Sequence, residues 1–208
     1  MRMNCLILGA TGRVGSHVVN HALQENYRVT VLVRTPENAK TEHENLTIIK
    51  GNVLNKDDIT HAIEGVDVVI SALNTDGSTT LSESMPLIID AMKGQGVRRI
   101  ITVGTAGILQ SRTSPELLRY QSSESKRKLT RAAEDHHRAY DFLKASGLDW
   151  TIVCPTYLPD GEYTGQYRVE RDFLPEGGAK ISVPDTAECT WKQVECDKYI
   201  GARIGLAY

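Results

Sequence analysis

The stretch Cys5-Leu-Ile-Leu-Gly9-Ala-Thr-Gly12-Arg-Val-Gly15-Ser-His-Val-Val19 decides the fold. Its apolar run, Cys5 to Leu8, reads as a buried strand. Three glycines follow at G-x-x-G-x-x-G spacing, and a helical pattern begins at once, with Val18, Val19, Ala22 and Leu23 on one face. Strand, tight turn and helix in that order suit a bound pyrophosphate. Gly9 makes the turn, Gly12 lets the backbone approach the ligand, and Gly15 lets helix and strand pack closely. The N–H groups and partial positive charge of the helix N-terminus then face the anion. Thr11, Arg13 and Val14 complete this cofactor-binding loop.

Asn26 is placed to cap the helix, and Tyr27-Arg-Val-Thr-Val-Leu-Val33 is an alternating, β-branched strand stopped by Arg34-Thr-Pro36. The residue ending this second strand selects the cofactor, because an acidic side chain there bonds a ribose 2′-hydroxyl whereas an arginine accommodates a 2′-phosphate. The position holds Arg34, 19 residues after Gly15, and an arginine fork is a bidentate phosphate ligand. NADP(H) is therefore expected, with Arg13 on the same side of the adenosine.

Farther along, residues 46–50 form a third strand that runs into Gly51-Asn52-Val53, and 55–64 form a short helix. Residues 66–73 form a fourth strand whose end, Ala72-Leu73, is expected against the nicotinamide half of the cofactor. A helical pattern spans 81–95, and Pro86 suggests that the true helix starts there, with proline in its first turn. Residues 96–103 are the fifth strand. Thr102 and Thr105 lie near its carboxyl end, where ligand crevices form, and strand parity makes Thr105 the exposed one. A polar stretch, 108–125, is expected as a lid, followed by a helix over 126–146 and a sixth strand over 148–155. Short strands are expected at 166–170 and 180–183, a helix over 185–196 capped by Asp185, and a last strand over 199–208.

Strands and helices alternate throughout. The expected architecture is α/β, a doubly wound, mainly parallel sheet of Rossmann type, in one domain over 1–208. Loops 74–80, 107–125 and 155–165 would build its substrate side. A length of 208 residues with 40% hydrophobic composition suits one buried core.

With 24 basic and 26 acidic side chains, the net charge of −2 leaves no basic face for nucleic acid. No apolar run approaches the roughly 20 residues that span a bilayer, and no secretory signal is visible, so a cytoplasmic protein is expected. Cys5, Cys154, Cys189 and Cys196 show no CxxC spacing, which implies neither a disulfide framework nor a metal site. The expected partner is a small-molecule acceptor, and the expected assembly a monomer or weak homodimer.

The segments Gly-Ala-Thr-Gly-Arg-Val-Gly at 9–15, Val-Leu-Val-Arg at 31–34, Gly-Asn-Val at 51–53 and Ser-Gly-Leu-Asp-Trp-Thr-Ile-Val-Cys-Pro at 146–155 together resemble the atypical short-chain dehydrogenase/reductases. Within them the likeness is to the NAD(P)-binding, NmrA-like proteins and to the biliverdin-IXβ and flavin reductase subgroup. Glu134-Asp-His136-His-Arg138 and Thr164-Gly-x-Tyr167 are similar to that subgroup in order and spacing. The resemblance implies that His136 contacts the cofactor, that Thr105 sits beside the nicotinamide in place of a serine, and that Tyr157 and Leu158 line the pocket in place of His-Ile. Many such proteins carry Gly-Asp-Val where this chain has Gly51-Asn52-Val53, so Asn52 would offer an amide oxygen to the adenine amino group.

Tyr140-Asp-Phe-Leu-Lys144 matches the Tyr-x-x-x-Lys proton-carrying pair of many short-chain dehydrogenases, but its register does not. Lys144 lies only 11 residues before Pro155, and alignment on Ser146-Gly147 puts His136 at the usual lysine position and Ala132 at the usual tyrosine. Without that acid, a flavin, quinone or linear tetrapyrrole is a better hydride acceptor than a simple carbonyl, since its proton can come from water. The expected activity is an NADPH-dependent reduction of such an acceptor, with Thr105, His136 and Tyr157 as the catalytic-side residues. The alternative is a non-catalytic NADP(H)-binding sensor of the NmrA-like kind.

Overall fold

Among the described residues, thirteen strands and α-helices follow one another: β1 (Asn4–Leu8), α1 (Arg13–Gln24), β2 (Arg28–Val33), β3 (Leu46–Lys50), α2 (Lys56–Ile63), β4 (Val68–Ser71), α3 (Thr80–Gly94), β5 (Arg99–Val103), α4 (Arg131–Ser146), β6 (Asp149–Pro155), β7 (Arg168–Arg171), α5 (Val183–Lys192) and β8 (Ala202–Ala207). The computed structural model describes residues 3–39, 41–75, 77–125 and 129–208. The strands join in one sheet of order β3-β2-β1-β4-β5-β6-β8-β7, all parallel except β7, which runs antiparallel to β8. The order reverses between β1 and β4, where a doubly wound sheet opens its ligand crevice beyond the carboxyl ends of the strands.

Side-chain parity divides the core into two layers. Leu6, Leu8, Val69, Ile100, Ile152 and Cys154 face α2, α3 and α4, whereas Cys5, Ile7, Ile70, Ile101 and Val153 face α1 and α5. Period-2 alternation in strands buried on both sides produces this split. Burial pushes the Cys5, Cys154 and Cys189 thiols up to about 12, so they act as small core hydrophobes.

Several boundaries differ from expectation for identifiable reasons. Helix α3 starts at Thr80, six residues before Pro86, and keeps the proline inside. Its cap comes from α4, where the buried Asp135 accepts the N–H groups of Leu81 and Ser82 at 3.1 and 3.2 Å and the Ser82 hydroxyl at 2.5 Å. The strand expected at 180–183 is reduced to a single bridge between Lys180 and Tyr157, because Val183 already begins α5. The α5 cap is Ser182, which accepts from Asp185, and not Asp185 itself. Asp185 is buried in the first turn and accepts from Thr164 and Gly165. The expected start of α4 at Lys126, and Asp76 in loop 74–80, lie outside the described residues. Asn26 takes the left-handed conformation at φ 62°, one residue beyond the C-cap of α1.

The expected lid is anchored along its first half. Leu109 is fully buried, Gln110 pairs with Leu118 and donates to the Asp172 carbonyl at 2.8 Å, and the Arg203 guanidinium donates to the Ile108 carbonyl. Tyr120, in a 3₁₀ turn over Arg119–Gln121, bonds Nδ1 of His137 on α4 at 2.9 Å. These contacts tie 108–121 to β8, α4 and the turn after β7.

Candidate functional site

Because β1 through β6 are parallel, the segments that follow them gather at one edge of the sheet. Gly9 follows β1, Arg34 follows β2, Asn52 and Val53 follow β3, Ala72 and Leu73 follow β4, Thr105 follows β5, and Tyr157 and Leu158 follow β6. His136 reaches the same region from the second turn of α4. The sequence-predicted residues are thus brought to one crevice, though not all with the expected partners.

The glycine loop has no room for side chains. Gly9 adopts φ 78°, and a Cβ there would lie 2.5 Å from the Ala72 carbonyl oxygen, so the loop is pressed onto the end of β4. A Cβ on Gly15 would lie 2.1 Å from the Gly9 oxygen, which fixes the close packing of α1 on the β1 turn. Gly12 donates its N–H to Gly9 at 2.9 Å and acts as N-cap of α1 without any side-chain cap bond. The first turn carries no acidic residue. An uncapped helix start with open N–H groups and a flush backbone is what a diphosphate requires. The backbone of residues 12–15, with Thr11 and Val14 beside it, could hold such a group.

Arg13 takes a different direction from that expected. Its guanidinium bonds Asp160 at 2.8 Å and the Leu158 carbonyl at 2.9 Å, tying the glycine loop to the segment after β6. Three strands, β1, β4 and β5, lie between β2 and β6, so Arg13 is turned away from Arg34. Arg34 itself is exposed at the end of β2. Asn52 spends its amide oxygen locally, accepting the Leu54 N–H at 3.0 Å, while its own N–H donates to Asp58 at 2.8 Å. The oxygen expected to meet adenine thus carries one local bond and keeps a second acceptor position.

Thr105 is half-buried and accepts from the Gly107 N–H at 3.4 Å, whereas Thr102 is buried below it. His136 is half-buried, and burial pushes its imidazole down to about 4 despite the neighbouring Asp135. At neutral pH the ring is uncharged. Tyr157 is 61% exposed at the mouth, and Leu158 packs partly into the core.

Tyr140 is a packing residue. Its ring meets Trp150 edge-on at 5.7 Å, lies under the Arg203 guanidinium at 4.7 Å, and has the Lys144 ammonium over its face at 6.0 Å. Sequence reasoning missed Asp160, whose pairing with Arg13 spans the chain, and Ser71. The latter carried a signal, being the one hydroxyl in the run Val68-Val-Ile-Ser71, at the parity that faces α4.

A family model described as NAD(P)H-binding matches residues 9–197. Among solved structures, a candidate epimerase from Bacteroides thetaiotaomicron is 31% identical, with 100% of this chain and 98% of that one covered at a TM-score of 0.86. A Rossmann-fold NAD(P)-binding family protein from Shigella flexneri is 28% identical, with 99% and 93% covered at 0.78. A candidate NADH-flavin reductase from Streptococcus pneumoniae is 26% identical, with 99% of each chain covered at 0.82.

Proposed function

The chain belongs to the NAD(P)H-binding family, and from that premise we propose that it is an NADPH-dependent reductase of planar conjugated acceptors, a flavin, quinone or linear tetrapyrrole. Bound in the crevice, the dinucleotide supplies the hydride. The backbone of residues 12–15 holds the diphosphate, and Arg34 offers its fork to a 2′-phosphate. Ala72, Leu73, Val53 and Thr105 line the groove between the two ends of the cofactor, and Tyr157 and Leu158 border the acceptor.

The observation that carries the acceptor class is the state of His136. The imidazole brought to the crevice by α4 holds no positive charge at neutral pH, and the Tyr140 ring is packed against Trp150 with Lys144 over its face. No charged acid faces a developing alkoxide among these groups. A conjugated acceptor needs none, because its negative charge spreads over the ring system and water delivers the proton. The likeness to a candidate NADH-flavin reductase favours the same class. Epimerase chemistry, suggested by the Bacteroides relative, calls for a working Tyr/Lys pair, and the packing of Tyr140 weighs against it.

Two measurements test this reading. NADPH oxidation is followed with FMN, a quinone and biliverdin in parallel, and turnover is expected with at least one; tight cofactor binding without turnover on any would favour a sensor. Fluorescence titration is expected to show tighter binding of NADPH than NADH, and Arg34→Ala to remove most of a roughly tenfold gap, about 1.4 kcal/mol. Equal affinities in the unmutated protein would remove the case for NADP(H).

A further inference from the structure

Beneath the Ala72-Leu73 and Gly104-Thr105 segments, the polar side chains of Ser71, Thr102, His136 and Tyr140 line one small cavity. Ser71 and Thr102 are register partners on β4 and β5, and parity turns both toward α4. They are 3% and 6% exposed. His136 and, one turn on, Tyr140 face them from α4, and the rest of the wall is apolar, with Leu81, Met85, Ala139 and Ile152 among its residues. The cavity measures about 20 Å³. Among the described residues, the side chains of Ser71, Thr102 and His136 are not sealed off as buried groups without a partner, so their polar atoms are open to the cavity.

Two hydroxyls and an imidazole facing a small, largely apolar cavity call for a hydrogen-bond partner inside it. A charged ligand would be worse placed, since no counter-charge lines the cavity and His136 is neutral there. A single water solves the problem. It needs about 10–15 Å³ and typically makes about three hydrogen bonds to polar groups that lack partners. We propose that this cavity is a hydration site, in which one internal water is bonded by Ser71 Oγ, Thr102 Oγ1 and one ring nitrogen of His136.

The water gives Ser71 and Thr102 a purpose that neither strand formation nor packing explains. By bonding one nitrogen it selects which nitrogen of His136 carries the proton, and so what the ring offers to the crevice. Both hydroxyl residues are positioning residues that act through the water on His136. The inference concerns the protein without cofactor and stands independently of the acceptor class.

The test is nitrogen-15 NMR of histidine-labelled protein, combined with water-to-protein cross-relaxation, on the full chain at neutral pH. Wild-type protein is expected to show His136 as a single tautomer and a long-lived water signal at its ring. In Ser71→Ala/Thr102→Val, which removes both hydroxyls with little change of shape, the water signal is expected to disappear and the ring to become a mixture of tautomers. The amide spectrum far from the cavity should stay unchanged. Absence of a long-lived water at His136 in the wild-type protein would overturn the proposal even if the double variant fails to fold. Survival of both signals in a folded double variant would do so as well.

Discussion

At the scale of single residues, burial rather than sequence neighbourhood sets the chemistry of His136. Its proton is lost near pH 4 in the folded chain but near the ordinary 6.5 in the unfolded one. As pH falls below about 6.5 the unfolded chain takes up a proton that the folded chain refuses, so stability declines until about pH 4 and then levels. The loss approaches ~1.4 kcal/mol per pH unit and roughly 3 kcal/mol in all. Urea unfolding at pH 7, 6, 5 and 4 is expected to show a shallower decline for His136→Gln than for the wild-type protein, and parallel curves would contradict the assignment. His21, also lowered by burial, is unchanged in both proteins and cancels from the comparison. Residues whose role follows from local backbone need were legible in the sequence: Gly9 and Gly15 occupy positions where a Cβ would strike backbone. Arg13 was not, because its carboxylate partner lies 147 positions away and no periodicity announces it.

Among the elements, α3 depends on α4 for its beginning. Asp135, fully buried, is held by two backbone N–H groups of α3, the Ser82 hydroxyl and the Arg138 guanidinium at 3.4 Å. Asp135→Ala would leave those donors without their acceptor. The expected cost is about 2–3 kcal/mol, or a fall in Tm of roughly 4–12 °C, measured by circular dichroism. Asp135→Asn keeps one acceptor oxygen and should lose about half as much. If the alanine variant melted with the wild-type protein, the cap would carry no weight. The same dependence explains what the sequence concealed. Elements whose signals are internal, such as β3 with its short β-branched run or α2 with Asn55 accepting from Asp57 and Asp58, can be bounded to within a residue. The start of α3 cannot, since Pro86 is visible locally and Asp135 is not.

For the whole molecule, fold and ligand are coupled through mass action. A dinucleotide that binds only the folded chain, at 100 times its dissociation constant, adds about 2.7 kcal/mol. For a chain of this length Tm should rise by roughly 5–10 °C, and a thermal melt with and without NADPH checks it. No shift at saturating NADPH would mean that the crevice does not take the cofactor. The sheet that carries the crevice also has two unlike margins. At one, β7 reverses direction, is four residues long and bears Arg168 and Arg171, a short and charged strand unsuited to further pairing. At the other, β3 is the outermost strand, with Ile48 38% exposed and a single cation, Lys50, at its end. Intermolecular strand addition is therefore guarded against on one side only. When the chain is partly unfolded or concentrated, aggregation has its easier template along β3, the margin beside β2 and Arg34.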